Sequence, residues 1–340
     1  MAGRLVRSAA RRRIVPALCM AAGAAAVQAQ PVDITPLAPA TALACLQMPP
    51  AAVGLATDEA DPRDGGLVRV KLRFTAPDAP PAAELLAATA RADLQRLVQH
   101  HVADYRLPCL QPGEPPVEAV QDFVFRPAPA RRVTRAEPVP LAGHAPRPPA
   151  CLLRPAKDPA PVRGLGRRAL QHVVFSLRFE GDGSQPPQVR LLHSSVTPAD
   201  TELLLDWAQG YRMPCRTAGD APTLLREHFM LGARDMRRYA FSKDSYGLTE
   251  FLAMTEQPER LQGWFDFTTM RCPFKVAYTV WGPALPNEVR SAPPLDPNRL
   301  PFMQWLQRQQ LHFADDRQAN DLFGRTVLVE VPCAVLDLQP

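Results

Sequence analysis

Apolar and polar residues alternate in two stretches of the chain that read almost alike. "VRVKLRF" (68–74) sets Val68, Val70, Leu72 and Phe74 on one side, and "VVFSLRF" (173–179) does the same with Val173, Phe175, Leu177 and Phe179. A period of two marks a half-buried strand. After the second stretch, "EGDGS" (180–184) supplies Asp182-Gly183 for a hairpin turn, and "QVRLLHS" returns as a second strand. Thr197-Pro198 with Asp200 predicts a helix start, a capping side chain followed by proline at the first helical position. The helix runs to Tyr211 with Leu203, Leu204, Trp207 and Tyr211 on one face, and Pro214 ends it. "LREHFML" (225–231) reads as a short closing strand.

The chain states this unit twice. Moving the sequence by 106 positions lays "YRLPC" (105–109) on "YRMPC" (211–215). The same shift lays Leu46 on Leu152, Pro49 on Pro155, Leu85 and Leu86 on Leu191 and Leu192, and Phe123 on Phe229. The "LRF" at 72–74 meets the "LRF" at 177–179 after a slip of one residue, which a hairpin absorbs. Residues 272–335 follow the same order more loosely. "FKVAYTVW" (274–281) alternates, "NEVRSA" is a candidate second strand, Asp296-Pro297 opens a helix through Met303 and Leu306, and "RTVLVEV" (325–331) closes. The expected fold class is α/β, of the two-layer α+β kind: tandem β-β-α-β modules, each with a small antiparallel sheet and one packed helix.

Cysteine spacing follows the repeat. With Cys19 set aside, Cys45 to Cys109 and Cys151 to Cys215 are both 64 positions apart, and Cys272 to Cys333 is 61. Of the possible pairings, the spacing selects these three as disulfides. In the third pair Cys272 precedes the first strand and Cys333 follows the last. Laying the third strand antiparallel beside the first brings the two together. Closing such a loop removes denatured-state entropy worth about 4 kcal/mol in the chain-entropy model. That is comparable to the whole net stability of a small unit.

Charge adds a compartment. The net charge of +5 equals the five arginines of residues 1–30 (Arg4, Arg7, Arg11, Arg12 and Arg13), a segment without acids, so the remainder is neutral. Neither nucleic acid nor an anionic membrane is an expected partner. The same segment has an apolar stretch from Ile14 to Val27 and "VQA" ending at Ala29. It reads as a signal peptide cleaved near Ala29/Gln30, since the apolar run falls short of the ~20 residues a membrane span needs. The expected organisation is therefore a signal peptide (1–29), a first module (45–126), a proline-rich linker (127–150), a second module (151–232), an aromatic-rich insert (233–271) and a diverged third module (272–335). The insert is expected to be ordered, packed on a module or forming a lid. No stable membrane insertion is expected once the leader is removed.

The second unit resembles the carboxy-terminal domain of the TonB energy-transducer family. "VVFSLRFEGDG" is similar to the family's leading strand, "RLLHSSV" to its strand ending in paired serines, and "YRMPC" to its aromatic-arginine-x-proline ending. The first unit resembles it with "LAATARAD" in place of the paired serines, and the third chiefly in element order. The resemblance implies a periplasmic location and a mode of action in which the last strand pairs with an extended peptide of an envelope protein. The edges it points to are 119–126, 225–231 and 325–331. Phe123, Phe125, Phe229, Leu231, Val327 and Val329 are then the candidate partner-binding residues. The chain departs from energy transducers in lacking a long proline-rich arm and in carrying three disulfide-bearing modules. An exported binding or adaptor protein is the first reading. The alternatives are a transducer-like protein with an uncleaved anchor and an envelope hydrolase with a site between modules.

Catalytic chemistry finds little footing. "GLGRRA" (164–169) precedes a strand where a dinucleotide fingerprint should follow one. His100 and His101 are helix neighbours that point about 100° apart, a poor metal pair. His193 lies beside Ser194 and Ser195 without a nucleophile-elbow motif. Trp207 and Trp305 read as core, and Arg163, Arg167 and Arg168 as a solvated loop. No catalytic residue, cofactor or metal site is expected.

Overall fold

The computed structural model describes residues 30–36, 43–50, 55, 65–111, 114–126, 132–135, 139–140, 151–156, 170–220, 222–232, 238–256, 262–291 and 296–338. The expected leader (1–29), "GLGRRA" and the Arg163, Arg167 and Arg168 cluster lie outside the described residues. The described chain is α+β, with small sheets and five α-helices.

The chain enters with strand β1 (Gln30–Pro36) and then builds a first sheet. Strand β2 (Gly66–Phe74), strand β3 (Ala82–Ala88), helix α1 (Ala92–Val102) and strand β4 (Val117–Arg126) follow in order. The alternation acts as expected: Val68, Val70, Leu72 and Phe74 meet Leu94, Val98 and Val102 of α1 in one core. β2 pairs antiparallel with β3 on one side and with β4 on the other. Within the stretch expected as a spacer, 127–150, residues 132–135 and 139–140 add to this sheet. Strands β5 (Arg132–Arg135) and β6 (Val139–Pro140) both pair antiparallel with β4. Proline density suggested an extended spacer, but an outermost strand tolerates proline because its unpaired side needs no donor.

The second sheet repeats the plan. Strand β7 (Gln171–Phe179), strand β8 (Gln188–Ser194), helix α2 (Pro198–Ala208) and strand β9 (Thr223–Leu231) give the order β1-β9-β7-β8. A register shift opposite the second strand falls at Arg69/Val70 in one sheet and at Val174/Phe175 in the other. Thr197 caps α2, its side chain accepting the N–H of Asp200, with proline in the first turn. Gly183, with φ +69°, lies so close to the Met213 backbone that a Cβ there would collide with it.

The repeated "YR-PC" phrase now has a physical account. Tyr105 and Tyr211 are fully buried in their cores. The next residue joins the unit's leading segment: Gln47 and Arg106 exchange both backbone hydrogen bonds, at 2.8 and 3.1 Å, and Leu153 and Arg212 do so at 2.8 and 3.0 Å. The cysteine then locks the same two segments covalently. Cys45–Cys109, Cys151–Cys215 and Cys272–Cys333 are disulfide-bonded, with Cα atoms 6.0, 5.7 and 5.0 Å apart.

The third unit holds more elements than the repeat. Its elements are strand β10 (Ser245–Gly247), helix α3 (Leu248–Leu252), strand β11 (Trp264–Asp266), strand β12 (Phe274–Thr279), strand β13 (Glu288–Ser291), helix α4 (Leu300–Gln307), helix α5 (Asp316–Leu322), strand β14 (Thr326–Val331) and strand β15 (Val335–Asp337). The order is β10-β14-β12-β13, and β11 pairs separately with β15. β10 runs parallel to β14, so this sheet is not purely antiparallel as expected. The described part of the aromatic-rich segment is packed on a module, the third, as one of its two expected placements had it. Tyr246, Phe251, Phe265 and Phe267 share one core with Phe274, Tyr278, Phe302 and Trp305, so a boundary at 272 cuts through packed side chains.

Candidate functional site

Strand addition needs a row of backbone N–H and C=O groups facing outward, and the sequence pointed to the third strand of each unit. In the structure each of those strands is an inner one. β4 lies between β2 and the β5–β6 segment, β9 between β7 and β1, and β14 between β12 and β10. Phe123 and Phe125, Phe229 and Leu231, and Val327 and Val329 belong to three separate cores, and none is more than 2% exposed. These six residues do not line open edges. The covering strands all come from outside the strand–strand–helix–strand units, which is why element order within a unit did not reveal them. Among the described residues, the outermost strands of these sheets are β3 and β5, β8 and β1, and β13 and β10. Leu85 on β3 and Leu191 on β8, equivalent under the 106-residue shift, are 42% and 41% exposed.

The outer faces of the first two sheets carry a second arrangement that the sequence did not announce. Strand alternation turns Arg69 of β2 and Asp122 of β4 away from the first core. There they form a buried two-pronged ion pair, Arg69 Nε to Asp122 Oδ1 and Arg69 Nη2 to Asp122 Oδ2, both at 2.7 Å. Arg69 Nη1 also donates to the backbone carbonyl of Asn298, at the start of the turn leading into α4. Val120 packs on Leu300 beside this contact. The first sheet is thereby bolted to the third unit. Arginine suits the task because its planar fork satisfies a carboxylate and still has a donor to spare.

On the second sheet the outward positions hold histidines instead. His228 of β9 sits one 106-residue shift from Asp122 and, like His172 of β7, is 1% exposed. His172 Nε2 lies 2.9 Å from the Asn320 carbonyl oxygen, and His172 Nδ1 lies 2.9 Å from His228 Nε2. A carbonyl only accepts, so His172 carries its proton on Nε2, and His228 must donate from its own Nε2. His228 Nδ1 is then a bare lone pair, buried and without a hydrogen-bond partner. Phe323 closes the box, its ring 4.9 Å from His172, 5.0 Å from the half-buried His193 and 5.1 Å from Trp281. Gly324 (φ +76°) permits the approach, since a Cβ there would run into the His228 ring. Burial drives His172 down to about 4 and His228 down to about 3. Individual histidines were visible in the sequence. Their convergence was not, because it depends on strand register and on a helix residue, Asn320, that lies 148 positions beyond His172.

One carboxylate faces inward. Glu227 of β9, fully buried, accepts the Tyr211 hydroxyl through Oε1, while its Oε2 has no partner. Burial pushes this carboxyl up to about 7 and pushes the Tyr211 phenol further from ionisation.

The remaining chemical candidates serve structure. Ser194 Oγ bonds the Thr201 hydroxyl at 2.8 Å, and Ser195 Oγ accepts the His172 backbone N–H at 2.7 Å, so neither is held toward His193 as a nucleophile. His101 is buried against Tyr105 and Phe123 while His100 is exposed. Trp305 lies in the third core and Trp207 packs partly buried on the second. Among the described residues, no His, Cys, Asp and Glu group has metal-binding geometry, and no helix is long and apolar enough to cross a membrane. Compared with known proteins, the chain matches no family model, no curated protein and no solved structure.

Proposed function

We propose that this chain is an exported, periplasmic binding or adaptor protein built from three tandem, diverged modules resembling the TonB carboxy-terminal domain, which holds an extended segment of an envelope protein by strand addition. The observation that carries this reading is that the third strand of each of the three units accepts a strand from outside its own unit. β9 does so most completely: β1 runs antiparallel along it from Gln30↔Met230 to Pro36↔Leu225. Main-chain hydrogen bonds make such an edge receptive to many sequences. The tandem-module part of the reading is supported by the equivalent bulges and the equivalent Gln47–Arg106 and Leu153–Arg212 bridges. Residues 1–29 act as the cleaved leader in this reading, and the three disulfides suit an oxidising compartment.

Strand addition at β9 then means exchange with β1. Removing residues 1–36 should leave a folded protein that binds a fluorescent peptide of sequence QPVDITP, while a scrambled peptide does not bind. Equal binding of both peptides, or of neither, counts against β9 as an acceptor. Phe229→Pro is a poor probe, because it removes a core ring from an inner strand and would unfold the sheet. A mature terminus near Gln30, measured by mass spectrometry, excludes a transducer with a retained anchor.

A further inference from the structure

The histidine pair lies where the second sheet meets the third unit, and a proton added at His228 Nδ1 would create an N–H with no acceptor beside it. We propose that His172 and His228 form a proton-operated latch: neutral, they hold the outer face of the second sheet against Asn320, Phe323 and Trp281, and protonated, they release it. The geometry supplies each part. Both rings are buried, each spends its N–H on a defined acceptor, and the only free nitrogen, His228 Nδ1, faces Gly324 inside an aromatic box. The charges around the pair oppose an added proton. Arg226 comes from β9, Arg325 from beyond α5, Arg238 from the segment before β10, and His193 from β8. Asp321 of α5 is the acid facing His172, and it already accepts the Tyr239 N–H and lies 3.9 Å from Arg317. Glu288 of β13 is engaged by Arg226 at 3.2 Å. A proton on His228 therefore enters a cationic surround, and separating the surfaces restores water to both rings.

The direction follows from the same burial. Each histidine titrates lower in the closed state than its ordinary 6.5, so closure is fully favoured above that value and is lost as pH falls through about 4 and about 3. The first sheet is fastened at the equivalent outer-face position by Arg69 and Asp122, without histidine. Acidification should thus loosen one face of the third unit before the other.

Hydrogen exchange on the disulfide-bonded chain, labelled at steps from about pH 7 to about pH 3, tests this. Protection in 170–174, 226–230 and 320–325 should fall by about ten-fold or more below about pH 5, while the cores at 94–105 and 204–211 stay protected. His228→Gln keeps an N–H donor toward His172 and has no proton to take up. It should shift that loss down by about one pH unit or more. Simultaneous loss in cores and interface, no loss by pH 3, or an unshifted variant overturns the latch. If His228→Gln fails to fold, the contrast between interface and core peptides in the wild-type chain decides alone.

Discussion

Glu227 and His228 are neighbours in the chain, sit on opposite faces of β9, and respond to pH in opposite senses. Burial raises the Glu227 carboxyl to about 7, so its contribution is fully present below the ordinary 4.5 and is lost as pH rises through about 7. Burial lowers His228, so its contribution is present above 6.5 and is lost as pH falls through about 3. The first unit answers the inward problem differently, with Gln121 at the position equivalent to Glu227. Glu227→Gln should therefore stabilise the protein at pH 8 by on the order of 1–3 kcal/mol while changing little at pH 5. Thermal unfolding at the two pH values measures it, and an equal effect at both would show that the carboxylate is not the cause. At this scale the cysteines and the "YR-PC" phrase were legible because each repeats at a fixed offset. The ionisable groups were not, since alternation tells which side a residue faces and not what waits there.

Among the elements, the disulfides reinforce joints that already exist. Cys151–Cys215 closes a 64-residue separation next to the Leu153–Arg212 backbone bridge. Replacing both cysteines by serine should keep the fold and cost about 2–4 kcal/mol, read as a lower denaturation midpoint at unchanged slope. A changed slope would mean that the bridge also holds the native state together. Strands β2, β7 and β12 and the caps at Thr197 and Asp296 followed from local sequence because period and capping chemistry are local. β1, β5, β6 and β10 did not. They are short or proline-bearing segments whose strand character comes from the neighbour they lie against, and that neighbour is set by tertiary contact. Helix α5 escaped notice for a related reason: seven mostly polar residues carry no apolar period, although Asp315 caps them.

At the scale of the molecule, the third unit is held on two sides by unlike chemistry. On the first side Arg69 spends both arms of its fork on Asp122 and reaches across to Asn298, with Arg126–Asp337 at 2.6 Å nearer the surface. Arg69→Leu strands a buried carboxylate, a loss of about 3–5 kcal/mol. Chemical denaturation should show it, whereas Arg126→Leu should cost under about 1 kcal/mol because that pair is partly solvated. Comparable losses would mean that the buried pair is not the fastening. None of this docking was legible beforehand, because outward positions on a small sheet read as solvent-facing until a second body is known to cover them.

Among the strand pairings of the described residues, the longest reach belongs to β1, whose Gln30 pairs with Met230 two hundred positions later. Synthesis delivers β1 long before its acceptor strand, so this pairing cannot form until β9 has been made. On the strand-addition reading, β1 and any other extended segment at hand would compete for the rim of β9, and β1 holds the advantage of being tethered to the same chain.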